Sequence, residues 1–205
     1  MNINISNTFK NIYDNNVWFD GESKSGLGSS LDFTINIRNF LIKLFSEKNI
    51  KSMIDTSCGD WNWMKEIKNN LCDYTGIDVV QELILTNNLK YRTDSIKFIN
   101  DDFLNFLKNR TEKTDLILCR HTLEHLDTEY NIEFLENCKK FTKFLLVTTH
   151  KKCLENTKLP SSIYRPINLE ISPYKEILPN FVSIYDGPAS HVREEMYINL
   201  YEFTE

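Results

Sequence analysis

A short acidic turn and a second acid further along the chain are the clearest candidates for ligand chemistry. Residues 55–60, Asp-Thr-Ser-Cys-Gly-Asp, follow the apolar pair Met53-Ile54, and Asp78 ends the next apolar segment, roughly twenty residues after the turn. This order predicts a strand, a tight turn, a helix over 61–69 and a second strand, so the turn and Asp78 reach the same edge of a parallel sheet. Nucleotide-binding units keep an acid at this place for ribose hydroxyls.

The glycine pattern of this turn argues against a dinucleotide ligand. Only Gly59 remains, because Ser57 and Trp61 stand where glycines let a pyrophosphate approach the backbone. The sequence also lacks the Tyr-x-x-x-Lys pair of nucleotide-sugar epimerases and reductases. We therefore expect no pyrophosphate at this turn.

Four segments resemble, in their order and spacing, the motifs of class I S-adenosylmethionine-dependent methyltransferases. They are Asp55-x-Ser57-x-Gly59, Gly76 to Val80, Asn100 to Phe103 and Asp115 to Arg120. Ser57 and Trp61 depart from the family's glycines. The resemblance implies an α/β fold, a three-layer αβα sandwich around a Rossmann-like, mostly parallel seven-stranded sheet whose last strand is antiparallel. It implies S-adenosyl-L-methionine as cofactor, S-adenosyl-L-homocysteine as product and no metal.

The same resemblance implies which residues contact the cofactor. The turn passes beneath the methionyl part, Asp78 holds the ribose, and the amino-terminal helix covers the cofactor and acceptor. The predicted cofactor-binding residues are Trp18, Gly28, Ser29, Asp55, Ser57, Cys58, Gly59, Asp60, Trp61, Asp78, Val79, Asp101, Asp102, Phe103, Cys119 and Arg120.

The segment after the third predicted strand has two possible roles. Asp101 or Asp102 can accept a hydrogen bond from the adenine amino group, with Phe103 or its neighbour against the ring. Either acid can instead cap the helix that runs to Asn109. With two acids present, both roles can coexist.

The amino-terminal region is predicted to combine a loop and a helix. Residues 1–17 are rich in Asn and have no clear period. The Gly-Ser run that ends at Ser30 predicts a flexible loop, which either links elements or lines the pocket together with Trp18. Ser30 or Asp32 is expected to cap the following helix, whose apolar residues from Phe33 to Phe45 share one face.

Histidines follow the fourth predicted strand, which spans residues 114–119. His121 and His125 are four residues apart, so we expect them on one helical face with Glu124 between them. A zinc helix needs Glu directly after its first His, and Thr122 occupies that place, so a metal is not expected. His121 or His125 is a candidate catalytic base, since histidine titrates near neutral pH. The alternatives are packing against the adenosine and capping of the next helix.

A long segment after the fifth predicted strand is the candidate acceptor loop. Lys151 to Lys175 contains three prolines and has no sustained period, and loops of this length in compact domains are usually functional. Its aromatic, cationic and amide side chains suit a polar or anionic acceptor, unless the cation forms a structural ion pair. The predicted substrate-binding residues are His121, His150, Tyr164, Arg165 and Asn168.

Length and composition predict a single domain over 1–205. We divide it into an amino-terminal cap (1–48), a cofactor-binding core (49–150), an acceptor-side loop (151–178) and two closing antiparallel strands joined by a short link from Asp186 (179–205). A net charge of −5 argues against nucleic acid as partner. The longest apolar runs are too short for a membrane span, and five cysteines without C-x-x-C spacing predict a cytoplasmic protein.

The expected activity is methyl transfer to a small polar acceptor. Three segments, residues 22–30, 55–64 and 165–170, also resemble small bacterial methyltransferases associated with surface-polysaccharide modification. That resemblance implies O-methylation of a sugar, or of a phosphate or phosphoramidate group. The alternatives are a catalytically silent partner protein with this fold and a Rossmann-type enzyme that modifies nucleotide sugars.

Overall fold

The computed structural model describes residues 5–160, 163–178, 180–188 and 195–203. In these ranges seven strands form a mostly parallel sheet flanked by helices, which confirms the predicted Rossmann-like fold class. The elements in chain order are α1 (Ile5–Asp14), α2 (Ile35–Glu47), β1 (Ser52–Asp55), β2 (Asp73–Asp78), α3 (Gln81–Tyr91), β3 (Ile96–Asn100), α4 (Phe103–Lys108), β4 (Thr114–Cys119), α5 (Thr128–Phe141), β5 (Thr142–Thr149), β6 (Phe181–Pro188) and β7 (Glu195–Glu202). Short 3₁₀ helices span Leu27–Ser29, Met64–Asn70 and Leu123–His125.

The chain divides into two compact units, Met1–Phe106 and Leu107–Glu205. In the first unit, β2 pairs in parallel with both β1 and β3. In the second unit, β5 is parallel to β4 and antiparallel to β7, which also pairs antiparallel with β6. The predicted antiparallel direction of the last strand is confirmed, and the single domain over 1–205 stays a prediction.

The turn after β1 is anchored by a buried tryptophan. Trp61 is 1% exposed, and its ring centroid lies 5.7 Å from that of Tyr74, 4.8 Å from that of Tyr91 and 5.1 Å from that of Phe98. Its φ of 59° lies in the left-handed region that favours glycine, a conformation that burial of the large ring can offset. The helix predicted over 61–69 was wrong in start and type, because a 3₁₀ helix begins only at Met64.

Apolar composition explains the strands of the second unit. The side chains of Leu116, Ile117 and Leu118 in β4 and of Leu145 and Val147 in β5 are completely buried. A strand covered on both faces has a nearly continuous apolar sequence, and such a run can be delimited from the sequence alone. The predicted bounds of β4 therefore agree with the structure.

Two predictions for the amino-terminal region were wrong. Residues 5–14 form a helix, α1, and its apolar residues Ile5, Phe9, Ile12 and Tyr13 recur at helical spacing, so the interpretation that 1–17 has no clear period was wrong. Its side chains bond to the segment after β2: Ser6 Oγ donates to the Val79 carbonyl at 3.3 Å, and Lys10 Nζ lies 2.8 Å from Glu82. Short helices depend on such contacts more than on intrinsic propensity. Neither Ser30 nor Asp32 caps α2, whose N-cap Thr34 makes no side-chain capping bond.

The described helices include none that is both long and apolar enough to cross a membrane.

The buried cluster around Trp61 predicts a large effect on stability. We expect Trp61→Ala to lower the free energy of unfolding by about 3–5 kcal/mol, because it leaves a cavity among three aromatic rings. Leu89→Ala is the control: this side chain is 87% exposed, so its loss should change stability by less than about 0.5 kcal/mol. Urea denaturation measures the free energy of unfolding of both variants, and equal losses of stability in the two would contradict the assigned core.

Candidate active site

The backbone N–H groups of the turn between β1 and the following 3₁₀ helix already donate hydrogen bonds within the protein. Each N–H from 58 to 62 has an acceptor within the first unit. Cys58 donates to the Ile77 carbonyl at 3.0 Å, Gly59 to Asp78 Oδ2 at 3.0 Å, Asp60 to Ser25 Oγ at 3.1 Å, Trp61 to the Cys58 carbonyl at 3.2 Å and Asn62 to Asp60 Oδ1 at 3.3 Å. A phosphate-binding turn presents such groups to its ligand, and here all five are occupied.

Asp78 occupies the end of β2 as a buried carboxylate. Its Oδ2 accepts from the Gly59 N–H and its Oδ1 accepts from the Val80 N–H, both at 3.0 Å. Burial raises the pKa of Asp78 from its ordinary value of 3.8 to about 6, although the backbone donors oppose this rise. Among the described residues it has no cationic partner.

Two further carboxylates surround the same turn. Asp55 accepts a hydrogen bond from the Tyr74 hydroxyl at 2.8 Å and is 4% exposed. Burial raises the pKa of the Cys58 thiol well above its ordinary value, and the charges of Asp78, Asp55 and Asp60 raise it further. The surroundings of Cys58 are therefore negative, which opposes a phosphate and favours a cationic ligand.

Asp60 holds the amino-terminal segment against the turn. Its carboxylate accepts from Ser23 Oγ at 3.0 Å, from the Lys24 N–H at 2.7 Å and from Ser25 Oγ at 3.2 Å. Ser25 Oγ also lies 2.8 Å from the Tyr13 hydroxyl. A Cβ at Gly59 would collide with Ser25 Oγ, so this close approach requires glycine.

Sequence reasoning missed Tyr13, Ser23 and Ser25 as parts of the candidate site. Burial raises the pKa of the Tyr13 hydroxyl well above its ordinary value, and the charge of Asp78 contributes, so this hydroxyl lies near the carboxylate. The signal that could have placed Tyr13 is the helical spacing of Ile5, Phe9, Ile12 and Tyr13 itself. The two serines belong to the Gly-Ser run, but nothing in the sequence indicated that Asp60 would bind them.

The predicted loop residues lie in an ordered turn of the first unit. Gly28 and Ser29 belong to the 3₁₀ helix Leu27–Ser29, and the Ser29 carbonyl accepts from Asn62 Nδ2 at 3.1 Å. The Trp18 ring packs edge-on against Phe9, with centroids 5.8 Å apart. The run is therefore folded where a flexible loop was expected, and the cofactor contacts of Trp18, Gly28 and Ser29 stay predictions.

Residues after β3 also border Asp78. The Asp101 N–H donates to the Asp78 carbonyl at 3.3 Å. Asp102 Oδ1 accepts from the Asn105 N–H at 2.9 Å, so Asp102 caps α4 as one of its two expected roles. Phe103 is 6% exposed at the start of that helix. Their contacts with an adenine stay predictions, as do the cofactor contacts of Ser57 and Val79. Since the Trp61 ring is enclosed in the core, only its backbone belongs to the turn.

The second unit contains a buried ion pair beside a histidine. Arg120 follows β4, and its Nε lies 2.8 Å from Asp186 Oδ2. His121 Nε2 lies 3.4 Å from the same oxygen, and its backbone N–H donates to Thr148 Oγ1 at 2.9 Å. Cys119, the last residue of β4, is 1% exposed.

Asp186 was expected in a link between two strands, and this prediction was wrong. β6 continues to Pro188, and its pairing with β7 shifts register between Tyr185 and Gly187, so Asp186 is the extra residue of a bulge. Bulges re-aim side chains and cannot be read from composition. The rest of the predicted link, residues 189–191, lies outside the described residues.

His121 and His125 do not share a helical face. The 3₁₀ helix spans only Leu123–His125, and His121 precedes it with a left-handed φ of 55°. His125 Nδ1 lies 2.7 Å from the Ile163 carbonyl, and burial lowers the pKa of this imidazole despite the opposing charge of Glu124. The described parts of the chain contain no cluster of three or more potential metal ligands.

Predicted acceptor residues lie mostly inside the loop after β5. His150 is 1% exposed, and its Nε2 lies 3.4 Å from the Tyr164 hydroxyl. Asn168 Nδ2 donates to the Cys153 carbonyl at 3.0 Å, which braces the loop. Acceptor contacts of His150, Tyr164 and Asn168 stay predictions.

Arg165 is 2% exposed and lies beside the chain segment of Glu124. Its backbone N–H donates to the Glu124 carbonyl at 3.1 Å, and its Nη2 donates to Thr128 Oγ1 at 3.2 Å. Nε and Nη1 of Arg165 and Oε2 of Glu124 have no hydrogen-bond partner among the described residues. Buried charged groups normally satisfy all such atoms, so these three lack the partners expected for them.

A family model described as a methyltransferase domain matches residues 35–169. The chain belongs to this methyltransferase family. The match covers the acidic turn, Asp78 and the histidines, and it confirms the predicted enzyme class. A comparison with curated proteins gave no match.

Solved methyltransferase structures resemble the chain closely in fold. The N-methyltransferase NodS from Bradyrhizobium japonicum, in complex with S-adenosyl-L-homocysteine, has a TM-score of 0.68 at 15% identity, covering 95% of this chain and 100% of that chain. Magnesium protoporphyrin IX methyltransferase from Synechocystis, with the same ligand, has a TM-score of 0.66 at 12% identity, covering 98% of each chain. The 1,6-didemethyltoxoflavin-N1-methyltransferase of Burkholderia thailandensis has 0.67 at 11% identity, covering 98% of this chain and 88% of that chain.

The buried carboxylate of Asp78 predicts a specific pH dependence of stability. Its folded-state pKa of about 6 exceeds its ordinary value of 3.8, so between these pH values the native state binds more protons than the unfolded state. Stability relative to Asp78→Asn should therefore fall as pH rises through this window, by about 3 kcal/mol at most. Urea denaturation at several pH values measures this, with exposed Asp73→Asn in β2 as control. A pH-independent difference for Asp78→Asn would contradict the assigned burial.

Proposed function

We propose that the methyltransferase transfers the methyl group of S-adenosyl-L-methionine to a small polar acceptor in the cytoplasm. The acceptor atom is an oxygen of a sugar, or of a phosphate or phosphoramidate group, in surface-polysaccharide biosynthesis. The polysaccharide context rests only on the resemblance of the three sequence segments, and the cytoplasmic location is supported by five free cysteines.

The observation that carries the donor assignment is the chemistry of the turn after β1. Its five N–H groups already have acceptors, and three carboxylates surround Cys58. A pyrophosphate needs free donors or cations and is disfavoured on both counts. S-adenosylmethionine has no phosphate, and its sulfonium and ammonium charges exceed the charge of its single carboxylate, so these acidic surroundings fit it. The same observation disfavours an enzyme that modifies nucleotide sugars.

Specific residues of the first unit are assigned to hold the cofactor. Each oxygen of Asp78 accepts one backbone hydrogen bond, and a carboxylate oxygen can accept a second, so Asp78 can bind both ribose hydroxyls. The carboxylates of Asp55 and Asp60 balance the positive charge of the methionyl part. Asp101 is the assigned acceptor for the adenine amino group, since Asp102 already caps α4. The bound cofactor supplies an electrophilic methyl group, and the protein supplies alignment.

Side chains of the second unit are assigned to the acceptor. His121 has a ring nitrogen beside Asp186, and Arg165 has two nitrogens without partners among the described residues. These groups suit an acceptor with hydroxyl or anionic oxygens. A catalytically silent partner protein is the alternative, and it predicts cofactor binding without turnover. Incubation with labelled S-adenosylmethionine and a panel of glycosides, sugar phosphates and phosphoramidates separates the two hypotheses, because only an active methyltransferase transfers the label to an acceptor.

Cofactor binding tests the donor assignment directly. S-adenosylmethionine and S-adenosylhomocysteine should bind and raise the melting temperature, whereas NAD should do neither. Asp78→Ala should weaken binding by about 1–3 kcal/mol in calorimetry, because it leaves ribose hydroxyls without acceptors. Asp73→Ala, at an exposed position of the same strand, is the matched control and should bind normally. Wild-type affinity in Asp78→Ala would show that the ribose assignment is wrong.

Arg165 tests the acceptor side. Arg165→Lys should keep the fold and cofactor affinity but lower kcat/KM for the acceptor found in the panel by about tenfold or more, because an ammonium cannot reproduce two parallel bonds to oxygens. Exposed Arg92→Lys is the control and should leave kcat/KM unchanged. Unchanged acceptor kinetics in Arg165→Lys would assign this residue to bracing the loop.

A further inference from the structure

Asp186 is the fully buried residue at the centre of a three-residue cluster in the second unit. Its side chain is 0% exposed, against 5% for Arg120 and 26% for His121. The bulge in β6 turns it toward Arg120 and His121, and one oxygen, Oδ2, faces Arg120 Nε and His121 Nε2. The other oxygen, Oδ1, has no partner among the described residues.

The carboxylate sets the tautomer of His121. A carboxylate only accepts hydrogen bonds, so the ring nitrogen that faces it, Nε2, carries the hydrogen. Nδ1 then has a lone pair and can accept a proton. The same logic governs buried carboxylate–histidine pairs that act as bases, in which the carboxylate orients the ring and stabilises the imidazolium.

The backbone at His121 supports a functional role for this ring. Its φ of 55° is left-handed, and non-glycine residues in this region are uncommon and concentrate at functional sites. The N–H bond to Thr148 Oγ1 holds this conformation. With its ring about a quarter exposed, His121 remains accessible to a small molecule, unlike the enclosed His150.

The charges around the ring keep His121 neutral and Asp186 ionised. Burial and the nearby Arg120 lower the pKa of His121, and this outweighs the opposing effects of Asp186 and Glu124. Burial alone would raise the pKa of Asp186, but Arg120 and His121 hold it below its ordinary value. The positive charge of Arg120 is balanced by Asp186, so the cluster is neutral at pH 7 and offers little attraction to an anion.

We propose that Asp186 positions His121 as a general base, and that the reacting group of the acceptor is a neutral hydroxyl and not a phosphate oxygen. This rests on the proposed methyltransferase function. The hydroxyl oxygen gains the methyl group while the electrons of the broken carbon–sulfur bond stay on sulfur. The hydroxyl proton moves to His121 Nδ1, and the resulting imidazolium is stabilised by Asp186. An already ionised phosphate oxygen has no proton to remove and needs no such pair.

Two variants test the base. His121→Gly suits the left-handed backbone and leaves the ion pair of Arg120 and Asp186 intact, so it should fold with at least wild-type melting temperature. Turnover of the hydroxyl acceptors in the panel should fall by about 10²–10⁴, with cofactor affinity unchanged, and added imidazole should restore part of it. Asp115→Asn, which removes the ion pair with the exposed Lys143 and leaves the cluster of Arg120, His121 and Asp186 unchanged, is the control and should keep wild-type turnover.

Asp186→Asn tests the positioning role through the pH profile. In the wild type, kcat/KM should rise with pH through the lowered pKa of His121 and stay flat above it. Loss of the carboxylate destabilises the imidazolium, so the midpoint of the pH dependence of kcat/KM should move to lower pH. The variant should also lower kcat by a larger factor than it changes KM. Turnover of phosphate acceptors alone with a flat pH profile, or no imidazole rescue of His121→Gly, would overturn the proposal.

Histidine NMR tests the pair without any acceptor. The ring of His121, assigned by comparison with His121→Gly, should be the Nε2–H tautomer and should titrate below 6.5. Asp186→Asn should lower its pKa further. A Nδ1–H tautomer, or a titration unaffected by Asp186→Asn, would refute the pair even if no panel member is methylated. Failure of S-adenosylmethionine to bind would instead refute the proposed function and leave this titration unchanged.

Discussion

The buried carboxylate of Asp78 fixes the carboxyl ends of the strands in the first unit. Its side chain accepts from Gly59 in the turn after β1 and from Val80 after its own strand. Its backbone carbonyl accepts from Asn100 Nδ2 at 2.9 Å and from the Asp101 N–H at the end of β3. Three chain segments therefore meet at one residue whose charge has no cationic partner among the described residues. A buried charge held only by amides is costly, and carboxylates with a perturbed pKa cluster at functional sites.

The two units provide different chemistry. In the first, three carboxylates and a turn without spare N–H groups favour a cationic ligand that lacks phosphate. In the second, the charge of Asp186 beside His121 is balanced by Arg120, so the cluster of these three residues has a proton acceptor but no net charge. If the proposed assignments hold, substitutions in the first unit change cofactor affinity and substitutions in the second unit change turnover of the acceptor.

The sequence was sufficient for the parts of the fold that depend on continuous apolar runs. β4 was predicted with correct bounds because both of its faces are buried. The helix α1 was missed although Ile5, Phe9 and Ile12 recur at helical spacing, because the Asn-rich composition of this segment argued against regular structure. Asp186 was read as part of a link because a bulge has no compositional signature. Trp61 was recognised as replacing a glycine, but only the structure shows the left-handed backbone and the aromatic cluster that compensates for it.

A crystal structure of the protein with S-adenosylhomocysteine tests the central claim most directly. The account predicts both ribose hydroxyls within hydrogen-bond distance of the Asp78 carboxylate, with its bond to the Gly59 N–H retained, and the methionyl part against the turn from Ser57 to Gly59. A ligand bound elsewhere, or a ribose held by other residues while Asp78 keeps only its backbone donors, would contradict it.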